Sequence, residues 1–177
     1  MQRMAKFHKV SYRQFRSDWL DTFPELNDVE DKNIVEKHIS KIYDSIRLPE
    51  RATIGSAGYD IFSPISFKLD PGESIKIPTG IRCEMYDGWV LTIYPRSGQG
   101  FKYGIHMANT VCVIDGDYAY SDNEGNIQIK IVNDSCLAKT FKVEAGTAFC
   151  QGIFLPFGIT LDDDVTEVRN GGLGSTD

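Results

Sequence analysis

Short runs of Ile, Val, Phe and Tyr alternate with turn residues from Ala52 onward, and this spacing constrains the fold more than any other feature. The runs are separated by turn signals at Pro71-Gly72, Pro78-Thr79-Gly80, Asp87-Gly88, Asp122-Asn123-Glu124-Gly125 and Ala145-Gly146. Closely spaced strands with such punctuation are typical of an antiparallel sandwich or a small barrel. The segment from Ile127 to Ile131 alternates apolar and polar residues, as a strand with one buried face does. The sequence therefore predicts a mainly β domain.

The first 48 residues have a helical texture and predict an extension packed on the same domain. Ser11 can cap a helix in which Tyr12, Phe15 and Trp19 recur at three- and four-residue spacing, and Pro24 helps to end it. A second helix is indicated by Ile34, Val35, His38, Ile39, Ile42 and Ile46. Neither helix carries an arrangement of acids, bases or nucleophiles. We therefore expect both to serve packing or an interface, with the histidine as a packing residue.

Composition limits the partners of this chain. Its 177 residues suit one domain with one core, and 19 basic against 25 acidic side chains give a formal charge of -6. No run rich in Lys or Arg is present, so the sequence predicts neither a nucleic-acid nor a membrane partner. No stretch resembles a secretory signal or a bilayer span, which favours a cytoplasmic protein. The four cysteines are far apart and lack zinc-site spacing, so we expect free buried thiols.

The segment Tyr94-Pro95-Arg96-Ser97-Gly98 is a candidate phosphate site. It presents a guanidinium, a hydroxyl and a glycine amide side by side. Arg gives forked charged donors to phosphate, and a hydroxyl and a bare amide add neutral donors. The alternative is a turn with an arginine on its rim.

The C-terminal segment from Arg169 to Asp177 is a second candidate anion site. Its glycines let successive backbone N–H groups converge on an anion, and the arginine and hydroxyls complete the set of donors. It is not a Walker A loop, because no Lys follows the glycines and no helix can follow at the chain end. The alternative is a disordered tail, and we expect a mobile arm unless something orders it.

The segment Val113-Ile114-Asp115-Gly116-Asp117-Tyr118 places two carboxylates and an aromatic ring in an otherwise apolar strand. A carboxylate inside a strand must be solvated, paired or functional, and a general base that activates water is one such use. The alternative is a turn in which Asp115 or Asp117 bonds to neighbouring backbone. Together the three segments describe a nucleotide phosphohydrolase.

With these residues in view, the sequence closely resembles the homotrimeric dUTP diphosphatase (dUTPase) family, which has five ordered motifs. All five are found from Gly55 to the C-terminus. The first two are Gly55-Ser56-Ala57-Gly58-Tyr59-Asp60-Ile61 and Pro95-Arg96-Ser97-Gly98 continuing to Lys102 and Gly104-Ile105. The other three are Asn109 through Val113-Ile114-Asp115-Gly116-Asp117-Tyr118 and Gly125-Asn126-Ile127, then Gly146 to Gln151, and finally Arg169 to Thr176. The resemblance implies a dUTPase-like distorted β-barrel or jelly roll (β-clip) over residues 49–168. A helical extension would precede it at 1–48, and a flexible arm would follow at 169–177.

The resemblance also implies the reaction, which is hydrolysis of dUTP to dUMP and pyrophosphate. Asp115 would be the general base that directs water at the α-phosphorus. Three residues would contact the phosphates: Arg96, Ser97 and Gly98. Gln151 would lie beside the α-phosphate, and Asp60 would hold water on Mg²⁺. The sequence offers no cluster of carboxylates spaced to cage Mg²⁺, so the ligands of the ion are expected on the substrate.

The same resemblance implies which residues select the base, which select the sugar and which close over the nucleotide. Asn109 would read the uracil edge, with groups near Val113, Ile114 and Gln128 completing the pattern. Tyr118 would pack under the deoxyribose and exclude a 2'-hydroxyl. The arm would close through Arg169, Leu173, Gly174, Ser175 and Thr176, usually over a site built by the other subunits of a homotrimer.

The sequence departs from the family at three places and leaves two other functions open. Leu173 stands where Phe is usual, Cys112 stands where Gly is usual, and residues 119–123 lengthen the hairpin tip. One alternative is a dCTP deaminase of the same architecture, which Asp115 and the glycine-rich arm argue against. The other is a module that binds a protein partner only when dUTP orders the arm.

Overall fold

Short β-strands make up most of the regular structure, as the turn spacing predicts. A computed structural model describes residues 2–136, 138–167 and 169–171. The α-helices are α1 (Tyr12–Thr22), α2 (Lys32–Ser45) and α3 (Ser97–Tyr103), and 3₁₀ turns lie at Pro24–Asp28 and Gly116–Tyr120. The strands are β1 (Ala5–Lys9), β2 (Tyr59–Phe62), β3 (Phe67–Leu69), β4 (Ser74–Pro78), β5 (Ile81–Met85), β6 (Trp89–Tyr94), β7 (Ile105–Met107), β8 (Cys112–Ile114), β9 (Gln128–Asn133), β10 (Phe141–Val143) and β11 (Ala148–Pro156).

These strands form several antiparallel sheets around one core. The larger sheets have the orders β2-β11-β6-β8 and β4-β9-β7, and β1 pairs with β5 and β10 with β3. In β9, Ile129 and Ile131 are fully buried whereas Lys130 is exposed, which confirms the predicted strand with one buried face. The sheets do not close into a single barrel within the described chain. The architecture is mainly β and jelly-roll-like.

The aromatic stripe of the first helix is buried against the sheet domain. The predicted cap is confirmed, because the Gln14 amide donates to Ser11 Oγ at 3.1 Å. Phe15 and Trp19 are buried with their ring centroids 5.1 Å apart. A Cβ on Gly80, which follows β4, would lie 2.9 Å from Phe15 Cδ2. The glycine therefore allows α1 to approach the sheet closely, and the division of the chain at residues 48 and 168 stays a prediction.

Two expectations for the first 48 residues are wrong. Residues Ala5–Lys9 form a strand rather than a helix, because Phe7 pairs with Cys83 of β5 and its ring centroid lies 5.5 Å from that of Tyr59. The two strands are far apart in the sequence, so the local sequence pattern does not reveal that they pair. His38 is exposed and does not pack. It lies roughly 70° around α2 from the centre of the buried stripe, at the margin of that face. In the described residues, no helix combines the length and apolar character that crossing a bilayer requires.

The thiols differ in accessibility, which corrects the expectation that all four are buried. Cys83, Cys112 and Cys150 are buried, whereas Cys136 is exposed. Burial raises the pKa of Cys83 to about 12 and raises the pKa of Cys150 well above the usual thiol range. Because the thiolate is the reactive form, these thiols should be inert in the folded protein.

We therefore expect a thiol-specific reagent at pH 8 to label Cys136 rapidly and the three buried cysteines only after denaturation. Quantitative labelling followed by mass spectrometry of peptides measures the rate at each site. A Cys136→Ser variant is the control and should remove the rapid phase. Rapid labelling of Cys112 in the folded chain would contradict the buried position of that thiol.

Candidate functional site

A cavity of about 510 Å³ opens where β6 runs into α3. It is lined by Ala52, Ser56, Gly58, Asp60, Arg96, Ser97, Gly98, Gln99, Lys102, Tyr103 and Gln151. Strand pairing creates this grouping, because Gln151 on β11 lies opposite Asp60 on β2 and opposite Tyr94 on β6. The structure thus brings together five predicted site residues from three distant segments: Asp60, Arg96, Ser97, Gly98 and Gln151.

Side chains in this cavity are held in place by direct contacts. Arg96 Nε lies 3.1 Å from Asp60 Oδ1, so the carboxylate orients the guanidinium. Gln151 Nε2 donates to the carbonyl oxygen of Pro95 at 3.1 Å. A Cβ on Gly58 would lie 2.7 Å from Gln151 Oε1, so the glycine leaves room for the amide. These contacts fix the direction in which the cavity presents its donors.

The first turn of α3 supplies further donors. Arg96 is its N-cap, and Ser97 and Gly98 occupy first-turn positions, where backbone N–H groups have no acceptor within a helix. Beyond the adjacent residues and the backbone of α3, no described heavy atom lies within 4 Å of a Cβ built on Gly98. Neither packing nor a left-handed backbone therefore explains glycine at this position.

The cavity is locally positive although the chain is acidic overall. Arg96 and Lys102 line it against one carboxylate, that of Asp60, among the described lining residues. An excess of positive charge and free amides favours an anion such as a phosphate chain. The sequence reasoning assigned no role to Lys102, Gln99 or Ser56. Lys102 lies one helical turn beyond Gly98, so its spacing from a predicted phosphate-binding residue could have identified it as part of the site.

A second group of predicted residues surrounds the end of β8. Asp115 follows the strand and precedes the 3₁₀ turn Gly116–Tyr120, so it lies at a strand end rather than in a strand interior. Its Oδ2 accepts from Arg169 Nη2 at 2.6 Å, and Asp117 Oδ1 lies 3.6 Å from Arg169 Nε. The Asp115 side chain makes no capping bond to the 3₁₀ turn, which argues against a role in a purely local turn. Its side chain is 45% exposed and therefore open to solvent.

Tyr118 forms the buried wall beside these carboxylates. Its hydroxyl donates to the Asn126 carbonyl at 2.9 Å and accepts from Asn123 Nδ2 at 2.8 Å. Burial raises the pKa of this phenol, so it stays neutral at physiological pH. Arg169 Cζ lies 5.9 Å from the centre of its ring. The ring thus faces the same space as the Asp115 carboxylate.

The loop between β7 and β8, together with strands β8 and β9, carries the residues predicted to read the base. Asn109 is exposed at its tip beside Thr110, which has a left-handed φ of 67°. Val113 is 54% exposed, whereas Ile114 is buried, so any contact of Ile114 with a ligand would use its backbone. Gln128 Oε1 is buried and has no hydrogen-bond partner in the described residues. A buried acceptor of this kind is suited to a ligand donor.

One chain does not bring the two groups together. Asp60 lies on edge strand β2 of the four-stranded sheet, and Asp115 follows β8 at the opposite edge. Three strand spacings separate these edges by about 14 Å. Arg96 follows β6, which pairs antiparallel with β8 with Leu91 opposite Ile114, so Arg96 and Asp115 lie at opposite ends of that pair. Asp115 is also not among the residues that line the cavity. The predicted residues Leu173, Gly174, Ser175 and Thr176 lie outside the described residues, and the assigned roles of the site residues stay predictions.

Comparisons with known proteins agree with this arrangement. A family model described as dUTPase matches residues 44–177. A deoxyuridine 5'-triphosphate nucleotidohydrolase of Lactococcus lactis subsp. lactis (strain IL1403) is 40% identical over 134 residues, covering 74% of this chain and 88% of that protein. One from Tolumonas auensis is 37% identical over 145 residues, covering 77% and 91%. The crystal structure of a dUTPase from Streptococcus mutans is 36% identical, with a TM-score of 0.57, and covers 66% of this chain and 90% of that one.

The resemblance, the mainly β fold and the enzyme class that the motifs imply are confirmed by these matches. The match excludes the first 43 residues, which contain β1, α1 and most of α2. The chain therefore belongs to the dUTPase family.

Proposed function

We propose that this protein hydrolyses dUTP to dUMP and pyrophosphate, with Asp115 as the base that activates water. The observation that carries the proposal is the positive cavity at the start of α3, in a chain similar to proteins named deoxyuridine 5'-triphosphate nucleotidohydrolase. In a cell, this reaction would keep uracil out of DNA and supply dUMP for thymidylate synthesis. We place the enzyme in the cytoplasm.

The cavity would hold the phosphate chain. Arg96 and Lys102 supply positive charge, and the first-turn amides of Ser97 and Gly98 donate to phosphate oxygens. Gln151, fixed by its bond to Pro95, would lie beside the α-phosphate. Charge develops on the bridging oxygen as the bond to the leaving pyrophosphate breaks. Donors already in place stabilise that charge without reorganisation.

Asp115 would accept the proton of the attacking water. The water oxygen forms a bond to the α-phosphorus, and the bond between this phosphorus and the bridging oxygen breaks. The products are dUMP and pyrophosphate. In the free chain, Asp115 is paired with Arg169 at 2.6 Å. A triphosphate would draw Arg169 toward its own negative charge and leave the Asp115 carboxylate free to accept the proton.

The residues fit a magnesium ion that arrives with the nucleotide. No group of three or more potential metal ligands occurs in the described residues, so they do not form a protein cage. Asp60 is 20% exposed in the cavity, and Gln99 Oε1 is a buried acceptor without a partner in the described chain. Both groups suit water molecules around a cation. When bound, Mg²⁺ would neutralise part of the charge of the phosphate chain.

Base and sugar selection would take place around the β7–β8 loop. Asn109 at the exposed tip and the unpaired Gln128 Oε1 would complete the hydrogen bonds of uracil. A wrong base leaves such buried groups unpaired, which costs about 1 to 3 kcal/mol for each group. The buried ring of Tyr118 would leave no room for a 2'-hydroxyl. The enzyme would thus reject dCTP and UTP by pairing and by shape.

A complete site would need more than one chain. Arg96 follows β6 and Asp115 follows β8, and these two strands pair antiparallel with Leu91 opposite Ile114, so the cavity and Asp115 lie at opposite ends of the pair. We therefore propose that the cavity of one subunit faces the Asp115 of a neighbour. A closed homotrimer gives each subunit the same pair of contacts. The arm, through Arg169, Leu173, Gly174, Ser175 and Thr176, would close over the bound nucleotide.

Release of pyrophosphate from dUTP, dCTP, dTTP and UTP tests the reaction, the base choice and the sugar choice together. We expect rapid release from dUTP and at least about 100-fold lower kcat/KM for the others. Ammonia released from dCTP would instead identify the deaminase of the same architecture. Binding of dUTP without turnover would favour a dUTP-gated binding module.

A Gly98→Ala variant tests whether the cavity holds phosphate. Beyond the adjacent residues and the backbone of α3, the added methyl meets no described protein atom within 4 Å, so the thermal midpoint should stay unchanged. It would occupy the space needed for a close approach of the triphosphate, and we expect kcat/KM to fall about 30-fold. Gly100→Ala is the matched control, since its Cβ meets only Ile105 O at 3.7 Å. Equal activity of both variants would show that the phosphate binds elsewhere.

A Leu173→Phe variant tests the role of the arm. Leu173 would cover the base without a π-face, and an aromatic ring stacked on a base adds about 1 kcal/mol of binding free energy. We therefore expect roughly fivefold tighter binding of a non-hydrolysable dUTP analogue, measured by calorimetry. Leu173→Ile, which adds no ring, should leave the affinity unchanged. Equal affinities for the Phe and Ile variants would remove residue 173 from the base contact.

A further inference from the structure

A buried carboxylate joins the N-terminal extension to the sheet domain. Asp18 on α1 is only 8% exposed. Its Oδ2 accepts from Asn126 Nδ2 at 2.5 Å, and its Oδ1 accepts from Gln14 Nε2 at 3.1 Å. Burying a carboxylate costs free energy that an apolar side chain of the same size would not. Packing alone therefore does not account for Asp18.

Asn126 connects this carboxylate to the candidate site. It is fully buried, and its Oδ1 accepts from the Gly80 amide at 2.9 Å. Its backbone carbonyl accepts from the Tyr118 hydroxyl at 2.9 Å. The bond from Asp18 thus fixes the residue that holds the far end of the Tyr118 side chain.

The segment from Asp115 to Asn126 is folded tightly on itself. The Tyr118 amide donates to the Asp115 carbonyl at 3.2 Å, and Ser121 Oγ donates to the Tyr118 carbonyl at 2.7 Å. Gly125 has a left-handed φ of 67°, and a Cβ there would lie 2.6 Å from the Tyr118 carbonyl oxygen. A displacement at Asn126 would therefore be transmitted to Tyr118 and Asp115.

A second contact from the extension holds the same segment. The Ser11 amide and hydroxyl both donate to the carboxylate of Glu124, each at 2.6 Å. Ser11 is also the N-cap of α1, since its Oγ accepts from the Gln14 amide. The start and the middle of α1 are thus both bonded to residues 124–126.

From these contacts we infer that α1 positions Asp115 and Tyr118, with Asp18 as its positioning residue. The inference rests on the proposed function of those two residues. The helix lies outside the part of the chain that the dUTPase family model matches. The extension would thus support the catalytic segment from outside the common fold.

Variants of Asp18 separate positioning from packing. Asp18→Leu keeps the branched shape of the side chain but leaves the Asn126 amide without its acceptor, whereas Asp18→Asn keeps a carbonyl acceptor. Asp21→Leu is the matched control, because Asp21 is an exposed carboxylate on the same helix. Each variant is assayed for thermal midpoint, for kcat and KM with dUTP, and for the ratio of dUTP to UTP turnover.

We expect Asp18→Leu to lower kcat about tenfold and to reduce the preference for dUTP over UTP, with a smaller change in KM. Asp18→Asn should recover most of kcat, and Asp21→Leu should match the unmodified chain. A purely structural role would lower the thermal midpoint and leave kcat and the dUTP preference of the folded protein unchanged. That result would overturn the inference.

Hydrogen exchange separates this inference from the proposed function. Amides of residues 116–126 should exchange faster in Asp18→Leu than in the unmodified chain or in Asp21→Leu, whatever the activity. An unmodified chain that does not hydrolyse dUTP would overturn the proposed function and, with it, the role in catalysis. An active chain whose residues 116–126 exchange equally in all variants would overturn the positioning role alone.

Discussion

An Asp115→Asn variant should bind a non-hydrolysable dUTP analogue within about threefold of the unmodified affinity and lose turnover by about 1000-fold. The amide keeps the shape of the carboxylate but cannot accept the proton of the attacking water. The residue lies at a strand end, and its side chain is 45% exposed and makes no capping bond to the following 3₁₀ turn. Loss of the carboxylate should therefore leave the fold intact, so the lower turnover reflects the chemical step rather than protein stability.

Single-turnover kinetics and calorimetry with the analogue measure these two quantities separately. Asp117→Asn is the matched control, because it makes the same charge change beside the same arginine at 3.6 Å. We expect this control to keep kcat within about threefold. An Asp115→Asn variant that turns over dUTP at the normal rate would remove Asp115 as the base. Loss of analogue binding would instead give Asp115 a role in holding the substrate.

The parts of the fold that sequence reasoning predicted are those set by local pattern. The alternation from Ile127 to Ile131 predicted a strand with one buried face, and Ser11 predicted a helix start. Both signals depend on neighbouring residues alone. The strand Ala5–Lys9 was missed because its cause is pairing with β5, nearly 80 positions away by the register of Phe7 with Cys83.

The candidate site likewise depends on contacts between distant residues, which the local sequence pattern does not predict. Motif residues in the sequence led to Asp60, Arg96 and Gln151, and the register of β11 with β2 and β6 explains why they meet. Pattern alone did not show that the cavity after β6 and Asp115 after β8 lie at opposite ends of an antiparallel strand pair. It also did not show the bond between Asp18 and Asn126, which joins residues 108 positions apart. Such contacts depend on how the elements pack, which no local window contains.

The separation of the cavity from Asp115 leads to a second large effect, which is recovery of activity by mixing two inactive variants. Gly98→Asp places a carboxylate in the phosphate cavity, where its Cβ has open space, so the fold should persist while the triphosphate is repelled. Asp115→Asn keeps the cavity and lacks the base. Each variant alone should have less than about 1% of the unmodified activity.

If each site combines the cavity of one subunit with the Asp115 of its neighbour, mixed assemblies contain sites in which both halves are intact. With random mixing of equal amounts, each half is intact in half of the cases, so about a quarter of the unmodified activity should return. Co-refolded mixtures are assayed for pyrophosphate release, and native mass spectrometry counts the mixed assemblies. Each variant refolded alone is the control. Mixed trimers without recovered activity would mean that Asp115 reaches the cavity of its own chain, and a chain that stays monomeric would have the same implication.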